Sequence, residues 1–275
     1  MNPAVSRGGR RALWGFFLLL VAFLYLPILV LIVFSFNDRE FVSFPWEGFT
    51  LRWYQEFIRN AALLTALRTS LLIALASSVV TVGLAVPASI ALVRRRFPGK
   101  ALVSGLLLAP LVIPLVVFGI ALLVLFNTIG LPLSPLTVMI GHIVLSLPFA
   151  ILTLVPRLEK IPVSLEEASR DLGASAPMTF RRITLPLLLP AVVSSFLICF
   201  TLSFDEVVVA SFIAGEQPTF PLYLFSQLRL PQRLPQVIAV AVVAMTVSLV
   251  LVVASEVGRG IADRRLEREA RLEGR

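Results

Sequence analysis

Cysteine, histidine and charged residues are all scarce in this chain of 275 residues. A single cysteine, Cys199, excludes an intramolecular disulfide. A single histidine, His142, argues against a multi-histidine metal site and against a histidine-based catalytic triad. The phosphate-binding pattern G-x-x-x-x-G-K-[ST] is missing as well. We therefore expect neither a metal, nor a cofactor, nor a catalytic residue in this protein.

Apolar residues, in contrast, are abundant: 58% of the chain is hydrophobic and the mean hydropathy is +0.94. They form blocks long enough to cross a bilayer, which takes about 20 residues. The blocks are residues 13–36, 67–93, 101–126, 135–155, 187–213 and 236–257. The sequence thus predicts an all-α polytopic membrane protein with six transmembrane helices. The first block exceeds the apolar core of a signal peptide, about 7–15 residues, so we interpret it as a retained span.

The segments outside these blocks suggest one membrane domain between two tails. We expect a tail over residues 1–12, a transmembrane domain over 13–257 and a densely charged tail over 258–275. The polar segment 38–66 contains a pattern for a short helix that starts near Thr50 and carries Trp53 and Tyr54. These aromatic residues fit a membrane interface, where such rings concentrate. A docking surface for a partner protein is the alternative.

The positive charge of the chain, +8 in total, is distributed unevenly between the two sides. Eighteen of the 24 Lys and Arg residues lie in the two tails, the turn after the second span and the segment between the fourth and fifth spans, which comprises the central loop and the preceding Arg157 and Lys160. Five lie in the polar segments 38–66 and 215–235. The positive-inside rule therefore predicts that both termini and the central loop are cytoplasmic. Since topology accounts for the charge, we expect no nucleic-acid partner.

The central loop, residues 164–186, is the longest polar interruption in the second half of the chain. Ser164 and Glu167 have the spacing of a capping box, which predicts the start of a short helix. Gly173 suits the left-handed residue that ends such a helix, and Pro177 suits the first turn of a second one. One apolar face of the first helix is expected to contain Leu165, Ala168 and Leu172.

This loop resembles the EAA motif of the membrane subunits of ATP-binding-cassette importers. The matching positions are Glu167, Ala168, Ser169, Gly173, Ile183, Leu185 and Pro186. Ser169 departs from the motif, which usually has alanine there, but serine is nearly as small. The resemblance, which covers about residues 60–260, implies a type I importer permease of the MetI-like fold. In that family the loop is the coupling helix that docks on the ATPase subunit.

The resemblance also implies partners and a location. A dimer of ATPase subunits, a second permease subunit (expected as a heterodimer) and an extracytoplasmic solute-binding protein complete such an importer. The expected location is the bacterial inner membrane. ATP hydrolysis is then expected on the separate ATPase subunit, and this chain is not expected to be an enzyme.

Two carboxylates, Asp205 and Glu206, lie inside the fifth predicted span. Charged groups at membrane depth are costly and commonly mark a substrate pathway. Adjacent helical positions point about 100° apart, so one carboxylate is expected to line the pathway while the other bonds a neighbouring helix. A contact between subunits is the alternative. His142 is expected to be a packed, hydrogen-bonded side chain, with a gating role as the alternative.

The string SFDEVVVASFIAG around these carboxylates resembles permeases of the spermidine/putrescine type, which transport polyamine cations. The sequence leaves two other functions open. One is an ion-coupled secondary transporter with Asp205 or Glu206 as its proton site, and the other is a membrane scaffold.

Overall fold

The computed structural model describes residues 7–40, 43 and 45–246, and these residues form helices joined by turns without a β-strand. This agrees with the predicted all-α class. The helices are α1 (Arg7–Phe34), α2 (Arg52–Arg59), α3 (Ala61–Arg94), α4 (Lys100–Leu108), α5 (Leu115–Thr128), α6 (Pro135–Glu159), α7 (Val163–Asp171), α8 (Ala176–Thr179), α9 (Leu185–Asp205), α10 (Val208–Ile213) and α11 (Phe220–Gln227). A further helix covers residues 234–246.

The chain divides into two compact units, Met1–Ala61 with Ser226–Arg275 and Ala62–Phe225. The helix α1 begins at Arg7, inside the predicted tail over 1–12, so the last residues of that tail are helical. The predicted tail over 258–275 lies outside the described residues.

In the first unit, the aromatic residues of α2 pack on their own segment. Trp53 is buried, and its indole Nε1 donates to the carbonyl of Asn37 over 2.8 Å. The Tyr54 hydroxyl lies 2.6 Å from Ser35 Oγ, and its ring stacks on Phe36. Trp53 therefore fits neither of the two predicted roles, a ring at the membrane interface or a docking surface for a partner protein. Contacts within its own chain bury its ring and accept its N–H group.

Four helical segments are long and apolar enough to cross a membrane: Gly8–Phe34, Ala61–Arg94, Pro135–Glu159 and Ala176–Asp205. The third predicted span, 101–126, is wrong as a continuous helix, because Lys100–Leu111 and Leu115–Thr128 meet at an angle of 104°. Pro114 causes this break, since proline lacks the N–H for a helical hydrogen bond and moves its preceding residue out of helical geometry. The sixth predicted span is helical up to residue 246, and its remainder lies outside the described residues.

The core of the second unit lies where α6 packs along α9, the pair of helices with the most extensive contact. Ala150 and Leu154 of α6 are completely buried there, together with Leu188 and Cys199 of α9. The thiol of Cys199, the one cysteine of the chain, is thus packed inside this core. Small residues at such contacts let helices approach closely in lipid.

A second cluster joins α5, α6 and α10. Gly141 of α6 faces Ile213 and Leu122, and a Cβ atom at this position would lie 2.8 Å from Ile213 Cδ1. The glycine therefore sets how closely α10 approaches α6.

The central loop differs from the prediction at both of its ends. Pro162 precedes the first residue of α7, and Ser164 lies inside the helix, so the predicted capping box is absent. After α8, a π-helical turn over Phe180–Thr184 continues into α9 without a break. The helix that contains the predicted start of the fifth span, residue 187, therefore begins earlier, because one helical segment runs from Ala176 to Asp205.

Candidate functional site

The turn after α7 is built on Gly173. Its φ of +84° lies in the left-handed region, where residues with a Cβ atom are strained. The Gly173 N–H donates to the Arg170 carbonyl over 2.8 Å, and the Ala174 N–H donates to the Ser169 carbonyl over 3.1 Å. These two bonds form a Schellman motif, which satisfies the last carbonyls of α7. The residue type expected at this turn is therefore the one that the backbone requires.

The apolar face of α7 points away from its own chain. Leu165 is 44% exposed, and Leu172, which directly follows the last residue of α7, is 89% exposed. Glu167 and Ala168 are exposed as well. Ser169 is half-buried and lies 3.1 Å from the hydroxyl of Thr179 in α8. An exposed leucine face on a polar loop is the kind of surface that a partner protein covers.

The remaining motif residues lie at the beginning of the long helical segment. Ile183 belongs to the π-helical turn and Leu185 is the first residue of α9; both are half-buried. Pro186 is exposed and is the second residue of α9, directly after the π-helical turn. The motif thus spans α7, α8 and the start of α9 as one continuous surface element.

Sequence reasoning missed Glu166, the buried residue of α7, a helix that the structure describes in full. Its Oε1 lies 3.3 Å from Arg94 Nε and accepts from the Thr184 hydroxyl over 3.1 Å. Arg94 also donates to the carbonyl of Ile161 over 2.8 Å. The acidic residue at position 166 next to Glu167 was visible in the sequence, but its partner is 72 residues away and no local pattern connects the two.

The two carboxylates of the fifth span have different environments, because the helix breaks between them. Asp205 is the last residue of α9 and is exposed. Glu206 has an extended backbone and is buried, and its two oxygens accept from the N–H groups of Val209 and Ala210, each over 2.9 Å. Glu206 therefore caps the first turn of α10.

His142 connects this cap to three long helices. Its Nδ1 lies 2.7 Å from the Ser203 hydroxyl of α9, and Ser77 of α3 donates to the same hydroxyl over 2.9 Å. Its Nε2 lies 3.6 Å from Glu206 Oε2. His142 is 1% exposed, so the expectation of a packed and hydrogen-bonded histidine agrees with the structure.

The loop and the carboxylates form two separate sites. Leu185 and Asp205 are the first and last residues of α9, whose 21 residues extend about 30 Å at 1.5 Å per residue. The described residues contain no cluster of His, Cys, Asp and Glu that fits a metal ion. The structure thus presents an exposed apolar loop at one end of a long helix and a polar cluster at the other.

Comparison with known proteins gives a family match over most of the chain. Residues 79–268 match the family model described as "Binding-protein-dependent transport system inner membrane component". The chain is 40% identical over 249 residues to the spermidine/putrescine transport system permease protein PotC of Escherichia coli K12, covering 90% of this chain and 94% of PotC. It is 37% identical over 230 residues to the putrescine transport system permease protein PotI of the same strain, covering 80% and 82% of the two chains.

A solved structure supports the fold. A chain in the crystal structure of a bacterial ABC transporter involved in the import of the acidic polysaccharide alginate matches with a TM-score of 0.70. The match covers 94% of this chain and 99% of that chain at 19% sequence identity. At this identity, the likeness concerns the arrangement of the helices alone.

Proposed function

Because the chain belongs to the family of binding-protein-dependent transport system inner membrane components, we propose that it is a permease subunit of an ATP-binding-cassette importer for polyamines. The observation that carries the proposal is the 40% identity to PotC across nearly the full length of both chains. The family favours an importer over an ion-coupled secondary transporter or a scaffold. Spermidine and putrescine are the proposed substrates, after the names of the two relatives.

The coupling role of the loop is supported by the geometry of α7. The exposed leucines, Leu165 and Leu172, offer an apolar surface for a groove on an ATPase subunit, and the turn at Gly173 fixes their orientation. In this proposal a dimer of ATPase subunits hydrolyses ATP, and this chain transmits the resulting movement. A second permease subunit, as a heterodimer, and an extracytoplasmic solute-binding protein complete the importer. Both termini are cytoplasmic.

Asp205 is the proposed pathway residue, because it is the exposed member of the carboxylate pair. A carboxylate stabilises a passing ammonium group through charge, and this interaction is stronger at membrane depth than in bulk water. Glu206 is less suited to this role, since its oxygens already accept two backbone N–H groups. The pair thus separates into one carboxylate for substrate and one for structure.

Uptake of radiolabelled spermidine tests the proposal in proteoliposomes that contain the complete importer with its binding protein. A charge-assisted hydrogen bond contributes about 1.5–3 kcal/mol, so Asp205→Asn should slow uptake about tenfold or more while the complex remains assembled. Glu216→Gln, which neutralises an exposed carboxylate in the loop after α10, is the matched control and should leave uptake unchanged.

Three results would count against this function. If the wild-type importer takes up another solute but neither spermidine nor putrescine, polyamines are not its substrates. A stable Asp205→Asn complex with unchanged spermidine flux removes Asp205 from the pathway. A complex that no longer assembles moves Asp205 to the contact between the two permease subunits.

A further inference from the structure

The helix α7 is attached to its own unit by charge more than by apolar contact. Its leucines are exposed, and the side chain that it buries is the carboxylate of Glu166. The side chains of Arg94 and Glu166 are 12% and 9% exposed, so water screens their attraction only weakly. The ion pair and the hydroxyl contacts of Glu166 and Ser169, rather than a hydrophobic face, hold α7 against its unit.

The same ion pair joins three elements that are far apart in sequence. Arg94 is the last residue of α3, and it also holds the carbonyl of Ile161, which lies between α6 and α7. Thr184, which donates to Glu166, is the last residue of the π-helical turn that leads into α9. Two helices long enough to span the membrane, α3 and the segment containing α9, therefore meet α7 at one carboxylate oxygen.

We propose that Arg94 and Glu166 are positioning residues of the transport cycle, which transmit displacement of α7 to α3 and α9. The inference rests on the proposed coupling function of α7. A partner that pulls on the exposed leucines of α7 moves Glu166 with them. Because Glu166 is bonded to the last residue of α3 and to the turn that leads into α9, these helices follow. Without the ion pair, α7 can shift while α3 stays in place.

This role predicts uncoupling rather than simple loss of activity. In proteoliposomes with the complete importer, Arg94→Gln and Glu166→Gln should keep ATP hydrolysis near the wild-type rate. Spermidine uptake per ATP hydrolysed should fall by about fivefold or more, the lower end of typical coupling between distant sites. The double variant should show the same uptake per ATP hydrolysed as the more impaired of the two single variants, because both changes remove the same contact. A residue that only stabilised the fold would lower both rates together.

Two variants control for charge and folding. Arg95→Gln removes a neighbouring exposed positive charge and should leave uptake per ATP unchanged. Arg94→Lys keeps a positive charge at this largely buried position but loses the guanidinium fork that reaches both Ile161 and Glu166. It should therefore assemble normally and show an intermediate ratio of uptake to ATP hydrolysed. If the glutamine variants fail to assemble, the ratio of Arg94→Lys decides: a wild-type ratio overturns the proposal.

A further variant separates this inference from the proposed function. Leu172→Asp places a charge on the exposed face of α7 and should abolish ATP-driven uptake if α7 docks on the ATPase subunit. Normal uptake by Leu172→Asp would overturn the coupling role of α7 itself. In a second case, Leu172→Asp loses uptake while Arg94→Gln and Glu166→Gln keep the wild-type uptake per ATP hydrolysed. This result overturns the positioning role and leaves the coupling role of α7 intact.

Discussion

Three carboxylates illustrate how the same chemical group takes different roles in this protein. Glu166 is buried against a guanidinium, Glu206 is buried against backbone N–H groups and Asp205 is exposed. Burial of a carboxylate is costly unless its oxygens find donors, and each buried one has at least two. The exposed carboxylate, Asp205, is therefore the one that we propose for the substrate.

At Gly173 the requirement for glycine is conformational and not steric. A Cβ atom there would meet nothing within 4 Å, yet φ is +84°. The left-handed conformation costs an L-residue roughly 1–2 kcal/mol, and more for a branched side chain. We expect Gly173→Val to abolish ATP-driven spermidine uptake, because the turn must reopen and the orientation of α7 changes. Uptake is measured alongside the amount of protein inserted in the membrane.

Asparagine provides the control at the same position, since it adopts left-handed geometry more readily than other residues with a Cβ atom. Gly173→Asn should retain most of the uptake that Gly173→Val loses. Normal uptake by a well-inserted Gly173→Val variant would show that the turn is not required for coupling.

Individual residues of the site were predictable where their function depends on local geometry. The left-handed Gly173 and the early Pro177 follow from the turn chemistry of a short segment, and both predictions are confirmed. Glu166 was not predictable, because its role depends on Arg94, which only the tertiary fold brings near. The different environments of Asp205 and Glu206 depend on a helix break that the apolar pattern of the fifth span does not signal.

Among the helices, long apolar segments were predicted well and their interruptions were not. Hydropathy found the segments that became α1, α3, α6 and α9, since length and composition decide whether a helix can cross lipid. It missed the 104° bend in the third span, although Pro110 and Pro114 were visible there. Proline is often tolerated inside membrane helices, so its presence alone does not distinguish a kink from a full break.

The junction of α5, α6 and α10 yields a prediction about packing. Gly141→Leu forces a side chain into a space where its Cβ would lie 2.8 Å from Ile213 Cδ1 and 3.0 Å from Leu122 Cδ1. Overpacking of this kind destabilises by about 1–3 kcal/mol. We expect a lower melting temperature for the purified complex.

The control for this change is the same substitution at an open position. A Cβ at Gly105 of α4 would meet nothing within 4 Å, so Gly105→Leu should melt close to the wild type. Equal melting temperatures for Gly141→Leu and the wild type would mean that α10 can move away from α6 without cost.

For the whole molecule, the sequence predicted the class, an all-α multi-pass membrane protein. It predicted the number of membrane spans less well. Composition and the residues of the central loop indicated a multi-pass permease, and the family match confirms it. The described residues contain four helices that can span a membrane, or five with the bent pair, compared with six predicted. The difference comes from the break at Pro114 and from the sixth block, which extends past residue 246.

Orientation in the membrane is a property of the whole chain, and the uneven distribution of Lys and Arg predicts it. The side that carries eighteen of these residues is expected in the cytoplasm, because positive loops are retained there. On this prediction, the turn at Gly99 and the turn at Ala174 lie on the same side of the membrane as ATP. In a Cys199→Ala background, single cysteines at these two positions should resist an impermeant thiol reagent added to intact cells.

A cysteine at Glu47, in the polar segment with few positive charges, is the control and should react readily. Permeabilised cells should label all three positions, which shows that the cytoplasmic cysteines are accessible once the barrier is removed. Labelling of Gly99→Cys and Ala174→Cys in intact cells at the level of Glu47→Cys would reverse the orientation. The exposed leucines of α7 would then face away from any ATPase, so this experiment tests the coupling proposal without measuring transport.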